Sequence, residues 1–366
     1  MRNGRYTQTP NRPGGLWFWA ERVHIPSIAL SESAELSAIC GPDAERARRM
    51  AERYHALLGT NDLQQLVTCP HVDAILVAAP NDAHAAAAIA AARAGKPVLC
   101  EKPLARTLDE AQLMCSEVEH TDVQNMVAFT WRNVPAAILT QKMVTSGEIG
   151  RVLHVGAHFL HHGWLALDTR RPWRFDRSRM GSGILGDLGV HLFDMLAWML
   201  GEPITRVCAR LSTFGPKPDI GGQPPIFDDG HLMVDFAGGA HGSLRISRVA
   251  TSAYQPPFRD MHQGAEIYGE TGALIFDLHH HSQLELRRVN QPAVMLDAPK
   301  PLPNSTDEWT VTREIGRRQI EHFAQAVRSG HPVNPSFKDG LRAQAVMQAA
   351  EWSQETEGWV DVELTA

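Results

Sequence analysis

A chain of 366 residues exceeds one typical domain of roughly 150 and predicts two, each long enough for its own core. Hydrophobic residues at 43% and charged residues at 21% are ordinary globular usage and exclude an intrinsically disordered chain. The balance of 35 Lys and Arg against 41 Asp and Glu gives a net charge of −6, without the basic face a nucleic acid partner would need.

The segment Met1 to Gly15 is polar, is broken by Pro and Gly, and has no apolar run of a secretory signal. Ala34–Cys40 then predicts a short strand, and Arg- and Glu-rich Ala44–Leu58 a helix. Ala74–Ala79 is continuously apolar, as a strand buried on both faces should be. Asn81 is placed to cap the Ala-rich helix Ala83–Ala94, and Gly95 to end it. Strand Val98–Cys100 leads into Glu101-Lys102-Pro103, followed by a helix at Leu108–His120 and a strand at Val123–Thr130. Strand–helix alternation of this kind predicts right-handed crossovers and a doubly wound parallel sheet.

After residue 130 the period changes. Val152–Phe159, Ile204–Leu211, His231–Phe236, Gly242–Val249, Gly272–Asp277 and Leu284–Arg288 predict strands. Gly238-Gly239 and Glu270-Thr271-Gly272 supply turn residues between neighbours, so an antiparallel sheet is expected. One helix, Ile184–Leu200, interrupts the strands, and helices return at Arg313–Ser329 and Lys338–Glu357. Gly215–Pro225 and Asn290–Asn304 predict loops. The expected class is α/β: a Rossmann-like domain at 1–130 and an α+β domain at 131–366 with an open, mainly antiparallel sheet. The C-terminal helix is expected to pack back on the first domain.

Cys40, Cys69, Cys100, Cys115 and Cys208 are scattered, without a CxxC pair. They exclude a disulfide framework and a zinc ribbon and suit a reducing cytoplasm. No stretch approaches 18 apolar residues, so no membrane partner is expected. His279-His280-His281 read as a surface turn, because adjacent residues of a strand alternate faces and cannot share one ion easily. Asp228 and Asp229 lead a strand without ligand spacing, and no metal is expected.

Two clusters carry chemistry. Glu101-Lys102-Pro103 follows a strand, and ligands of doubly wound sheets sit beyond the carboxyl ends of strands. The second is Gly181-Ser182-Gly183-Ile184-Leu185-Gly186-Asp187-Leu188-Gly189-Val190-His191-Leu192-Phe193-Asp194. Asp187 and His191, four apart, share one helix face, and a carboxylate beside an imidazole is a proton-handling pair. Taken alone, each cluster also reads as a loop lysine or as a helix cap with a buried histidine.

Together, in this order, the clusters resemble the Gfo/Idh/MocA family of NAD(P)-dependent sugar and cyclitol oxidoreductases. The resemblance covers nearly the whole chain and includes Pro80-Asn81-Asp82-Ala83-His84, Ala94–Ala105, Gly147-Glu148-Ile149-Gly150, Trp173-Arg174 and Pro335–Gly340. It implies hydride transfer from a hydroxyl to NAD or NADP, with Lys102, Asp187 and His191 as the catalytic group. His191 would take the hydroxyl proton, Lys102 would stabilise the developing alkoxide, and Asp187 would orient the sugar. Gly15, Ala20, Pro80, Asn81, His84, Glu101, Lys102 and Pro103 would line the cofactor site. Arg132, His161, His162, Trp173 and Arg174 are weaker candidates for the substrate. A homodimer or homotetramer through the exposed face of the C-terminal sheet is implied as well.

The cofactor end departs from the family pattern. Gly15 and Ala20 align with the ends of the G-x-G-x-x-G/A turn, but Trp17 stands at the second Gly, where backbone should approach the pyrophosphate. Arg5–Pro13 is polar with two prolines where an apolar strand is expected, and Gly41 replaces the ribose-binding acid, with Asp43 two residues late. Arg46 is placed to meet a 2′-phosphate, which would favour NADP, or to stand solvated on its helix as such arginines usually do. Three readings fit: a distorted but working loop, a non-catalytic carbohydrate-binding or regulatory relative, or a start that is not the natural one.

Overall fold

The computed structural model describes residues 18–161, 172–214, 221–250, 257–258 and 260–363. A π-helical turn, Ala20–His24, runs directly into α1 (Ile25–Ala29). There follow β1 (Ala38–Cys40), α2 (Ala44–Arg53), β2 (Leu58–Thr60), α3 (Leu63–Val67), β3 (Ile75–Val77), α4 (Asn81–Arg93), β4 (Val98–Cys100), α5 (Leu108–Thr121) and β5 (Asn125–Val127). Alternation is as expected, with strands shorter than the apolar runs that announce them. Asp43, Asp62 and Thr107 accept backbone N–H groups at the starts of α2, α3 and α5, as side-chain caps do.

Two local expectations are corrected. The helix predicted through Leu58 stops at Arg53, and β2 follows. Gly59 permits this: a Cβ there would lie 2.6 Å from the carbonyl oxygen of Ala47, so only glycine lets α2 pack so close. Asn81 does not cap α4. Pro80 holds the cap position, and the Asn81 amide donates instead to the Met180 carbonyl at 2.8 Å.

Among the described residues the parallel strands form two sheets, β1–β2 and β3–β4–β5. α1 packs against both, with Ile25 beside Ile39 of β1 and Ile28 in the cluster that holds Leu76 of β3. Residues 5–13 and the turn residues Gly15 and Trp17 lie outside the described residues. Val98, Leu99 and Cys100 are all buried, because β4 is central and covered on both faces.

The second half begins with a 3-10 turn at Thr130–Asn133, α6 (Pro135–Thr145) and β6 (Val152–His161). After a 3-10 turn at Pro172–Phe175 come α7 (Arg177–Met180), a π turn at Leu185–Gly189 and α8 (Val190–Leu200). β7 (Ile204–Ser212), β8 (Asp229–Phe236), β9 (His241–Ser247), β10 (Met261–Gly269), β11 (Gly272–Asp277), β12 (Gln283–Arg288) and β13 (Val294–Asp297) follow. The chain closes with α9 (Glu308–Ser329), α10 (Phe337–Thr356) and β14 (Val360–Asp361).

The large sheet has the order β13-β12-β11-β10-β6-β9-β8-β7-β14. It is mixed, because β6 pairs with β9 in parallel while its other pairings are antiparallel. The helical excursion after β6 carries the chain across the sheet, so β6 and β9 cannot be hairpin neighbours. β10 escaped the sequence reading, since Gln263, Gly264 and Glu266 interrupt its apolar pattern. β13 falls inside the predicted loop at 290–304.

Inward residues of β6, β8 and β9, such as Val155, Phe159, Leu232 and Ile246, join Leu188, Leu192 and Met195 in the main core. Each such buried side chain contributes about 1.5–3 kcal/mol. The helical run 177–200 is apolar and long enough to cross a bilayer, yet most of it is buried inside this core. α10 lies between β7 and α5, and Ile320 and Phe323 of α9 pack on Leu99 and Met126, so both C-terminal helices return to the parallel sheet.

Candidate active site

β4 ends at Cys100, and the next three residues turn into the crevice between the parallel sheets and the large sheet. The Lys102–Pro103 peptide is cis. Glu101 is buried, accepts from the Lys102 backbone N–H at 3.0 Å and lies 2.6 Å from Nε2 of His24. Burial opposes its ionisation, but the His24 contact and Lys102 outweigh burial and hold its carboxyl below the ordinary value. His84 is also buried, with Nδ1 and Nε2 each 2.9 Å from the carbonyls of Pro103 and Ala79. It pins the loop after β4 to the loop after β3, so its action on a cofactor would be through Pro80 and Pro103.

Lys102 reaches across to the second cluster. Its Nζ donates to the Asp187 carbonyl at 2.8 Å and lies 3.5 Å from Asp187 Oδ1. Asp187 sits on the π turn, a helical irregularity common at functional sites. Gly186 packs closely beside it: a Cβ would lie 3.3 Å from Met347 Cε and 3.5 Å from Pro103 Cγ. Arg174 donates to Asp187 Oδ1 at 3.2 Å. Burial resists the charge on Asp187, but Arg174, Lys102, Arg248 and His161 overcome it and hold the carboxyl well below the usual carboxylate range.

One turn on, His191 of α8 is buried among aromatic rings: Phe129 at 6.3 Å, Trp131 at 6.2 Å and Phe159 at 5.8 Å between centroids. Burial and the Lys102 charge push its imidazole well below the ordinary value, with Asp187 opposing. The ring is therefore neutral near pH 7 and able to accept a proton. The site thus holds a cation, a committed carboxylate and a neutral base, which is a set suited to removing a proton from a hydroxyl while stabilising the oxygen left behind.

The weaker candidates separate. His161, at the inner end of β6, and Arg174 both act on Asp187. His162 and the Trp173 side chain lie outside the described residues. Arg132 is not brought to the site. Its guanidinium is engaged by both oxygens of Asp194, with Nε–Oδ2 at 2.8 Å, and by Asp339 at 3.2 Å, and it lies over Trp198. Removing it strands a buried carboxylate, so Arg132→Met is expected to lower stability by about 3–5 kcal/mol in urea unfolding. A shift under 1 kcal/mol would refute that reading.

Two participants had no local signal. His24 meets Glu101 from 77 residues away. Arg248, just past β9, is buried with Asp228 at 2.7 Å and adds positive potential at Asp187. A buried arginine needs a partner, so Asp228 and the strand ending near 249 were the only hint, and their pairing is set by the β8–β9 register.

At the cofactor end, Phe18 and Trp19 are already helical and run straight into the π turn. Ala20 lies in that turn. Asp43 is spent on capping α2, and Arg46 donates to Glu21 at 3.3 Å. Arg46 would have to exchange Glu21 for a 2′-phosphate, which disfavours the NADP contact expected of it. With Asn81, Glu101 and Lys102 gathered beyond β3 and β4, the donor set fits a nicotinamide dinucleotide.

Comparison with known proteins agrees. Residues 15–129 match the profile described as "Oxidoreductase family, NAD-binding Rossmann fold", and residues 139–275 match the "GFO/IDH/MocA C-terminal domain". The chain is 32% identical to the levoglucosan dehydrogenase of Pseudarthrobacter phenanthrenivorans, over 95% of this chain and 92% of that protein. It is 28% identical to the myo-inositol 2-dehydrogenase of Thermotoga maritima, over 93% of this chain and 95% of that protein. A solved structure of levoglucosan dehydrogenase with NADH and levoglucosan superposes with a TM-score of 0.84 at 30% identity, covering 96% of this chain and 97% of that one.

Proposed function

The chain belongs to the Gfo/Idh/MocA family of NAD-binding oxidoreductases, and from that premise we propose that Lys102, Asp187 and His191 carry the proton side of its reaction. It is a dehydrogenase that moves a hydride between a sugar, polyol or cyclitol hydroxyl and NAD. The observation that supports these three roles is the reach of Lys102 Nζ to Asp187, 2.8 Å from its carbonyl and 3.5 Å from its carboxylate, with a buried neutral imidazole one turn away.

NAD, when bound, supplies the acceptor for the substrate's hydride. Asn81, Glu101 and the cis Lys102–Pro103 segment would hold its nicotinamide end, and the helical turn at Ala20 its pyrophosphate. His191 takes the proton of the reacting hydroxyl. Its low proton affinity keeps it unprotonated until substrate arrives, and the aromatic rings around it exclude water. Lys102 has donors beyond those directed at Asp187 and places one at the same oxygen, lowering the barrier to the alkoxide. Asp187 aims Lys102 and, with Arg174, receives the neighbouring sugar hydroxyls. The substrate is best sought among compact polyhydroxylated rings, with levoglucosan and inositols first.

The reading extends to organisation. The division near residue 130 separates the cofactor half from the substrate half. The outer face of the large sheet, where Met233 and Tyr268 are exposed, would join copies into a homodimer or homotetramer. Five free thiols suit the cytoplasm.

Titration of the purified chain with NAD and NADP, followed by intrinsic tryptophan fluorescence, tests the cofactor end. NAD is expected to bind at micromolar concentration and more tightly than NADP, since Arg46 must leave Glu21 to meet a 2′-phosphate. No binding of NAD at millimolar concentration would overturn the reading. A turnover screen on levoglucosan and inositols then separates substrate failure from cofactor failure.

A further inference from the structure

Behind the active-site wall, on the opposite face of the large sheet, four polar residues converge that the reaction does not use. Phe159 of β6 faces His191, while its neighbour His158 faces outward. In the register of β6, β10 and β11, Gly264 stands between His158 and Asp277. A Cβ on Gly264 would lie 2.9 Å from His158 Cε1 and 3.0 Å from the Phe276 carbonyl oxygen, so glycine keeps a small space open. His262, two residues before it on β10, and His279, in the 3-10 turn after β11, border the same space. His279 lies in a turn, as its sequence suggested, and that 3-10 turn at Leu278–His280 aims it back at Asp277.

One atom organises the group. Asp277 Oδ1 is 3.2 Å from His279 Nδ1 and 3.5 Å from His262 Nε2, and all three ligand atoms lie within 4.8 Å of one another. His279 Nε2 is 3.0 Å from the Phe258 carbonyl, which can only accept, so Nε2 carries the proton of the neutral ring. In the neutral ring Nδ1 then turns a lone pair toward a carboxylate oxygen, an arrangement relieved by a cation at the meeting point, a proton or a metal ion. This is also the outer contact by which metal-bound imidazoles are oriented. In a tetrahedral zinc site with bonds of about 2.0–2.1 Å, ligand atoms are roughly 3.3 Å apart, and the two distances from Asp277 Oδ1 are close to that. The His158 ring lies 4.3 Å from the His262 ring, and its Nε2 is buried without a hydrogen-bond partner. Arg245 of β9, opposite His158, and Glu266 of β10 are the other charges near this ring.

We propose that His262, Asp277 and His279 form a structural zinc site that joins β10, β11 and the turn after it, with His158 of β6 bordering the site. Nitrogen and oxygen donors of this kind suit Zn²⁺ or Co²⁺ over Mg²⁺ or Ca²⁺. The ion binds the folded chain and raises its melting temperature. It takes no part in hydride transfer, because the sheet separates it from His191.

The test uses the full chain without an affinity tag, freed of metal by EDTA, and titrated with Zn²⁺ by calorimetry. One tight equivalent per chain is expected, with a rise in melting temperature that EDTA reverses. The Co²⁺-loaded chain should show the strong visible absorption of a tetrahedral ion. His262→Ala and His279→Ala should each weaken Zn²⁺ binding by roughly a hundredfold, and His280→Ala should leave it unchanged. Circular dichroism of each apo variant confirms folding, and the Co²⁺ spectrum of the unaltered chain stands independently of any variant. No stoichiometric binding, an octahedral Co²⁺ spectrum, or equal binding in His262→Ala and His280→Ala would each overturn the site.

Discussion

Replacing Lys102 by methionine is expected to lower kcat by about a thousandfold or more, while NAD still binds and the chain still folds. Stabilisation of developing charge by one placed donor contributes about 10²–10³ to such reactions, and the Lys102 charge also keeps His191 neutral and ready to take the proton. Methionine keeps the length and apolar stem but brings no donor to the substrate oxygen. The fold should survive, because Asp187 keeps Arg174 at 3.2 Å and the Lys102 side chain is partly exposed, at 19%. KM should change far less than kcat, since the interaction strengthens only as the hydroxyl becomes an alkoxide. Steady-state kinetics with the best substrate from the screen, beside an NAD titration, measures both. A variant that retains a tenth of the original kcat would remove Lys102 from the reaction.

The second large effect concerns His191 and pH. Its imidazole is held well below the ordinary value of about 6.5 by burial and by Lys102. The acid limb of kcat/KM should therefore fall below pH 6.5. His191→Asn should lower kcat by about 10²–10⁴ and abolish that limb. Stability carries the same signature. Between the folded and unfolded proton affinities of this group, the unfolded chain binds more protons, so stability declines as pH drops below about 6.5. His191→Asn removes that contribution, and urea midpoints from pH 7 down to pH 5 should fall less steeply for the variant. An acid limb at or above pH 6.5 that persists in the variant would assign the base to another group.

Zinc at the outer sheet face and Arg132 behind α8 make smaller claims with separate readouts, melting temperature and urea stability. Neither depends on the hydride site. A chain that bound zinc but not NAD would keep the further inference and lose the proposed function, and the reverse result would do the opposite.

Much of the site was legible in the sequence because its signals are local. A short apolar strand ending in Glu101-Lys102-Pro103 marks a crevice, since a central strand is buried on both faces and its carboxyl end is where a doubly wound sheet opens. Asp187 and His191 are four apart, and helical geometry alone puts them on one face. Alternation of strand and helix to residue 130 carries the fold class in the same way, through periods of two and 3.6 residues.

Tertiary structure decided the rest. Whether Asp187 is a cap or a charged partner depends on Lys102 and Arg174 arriving from other segments. Arg132 was indistinguishable in sequence from a substrate arginine until Asp194 and Asp339 engaged it. His24, Arg248 and the group around Asp277 meet partners fixed by sheet register and by the return of distant segments. Periodicity records which way a side chain faces along its own element. Which residue waits on the other side is set by how elements pack, and that information is spread over the whole chain.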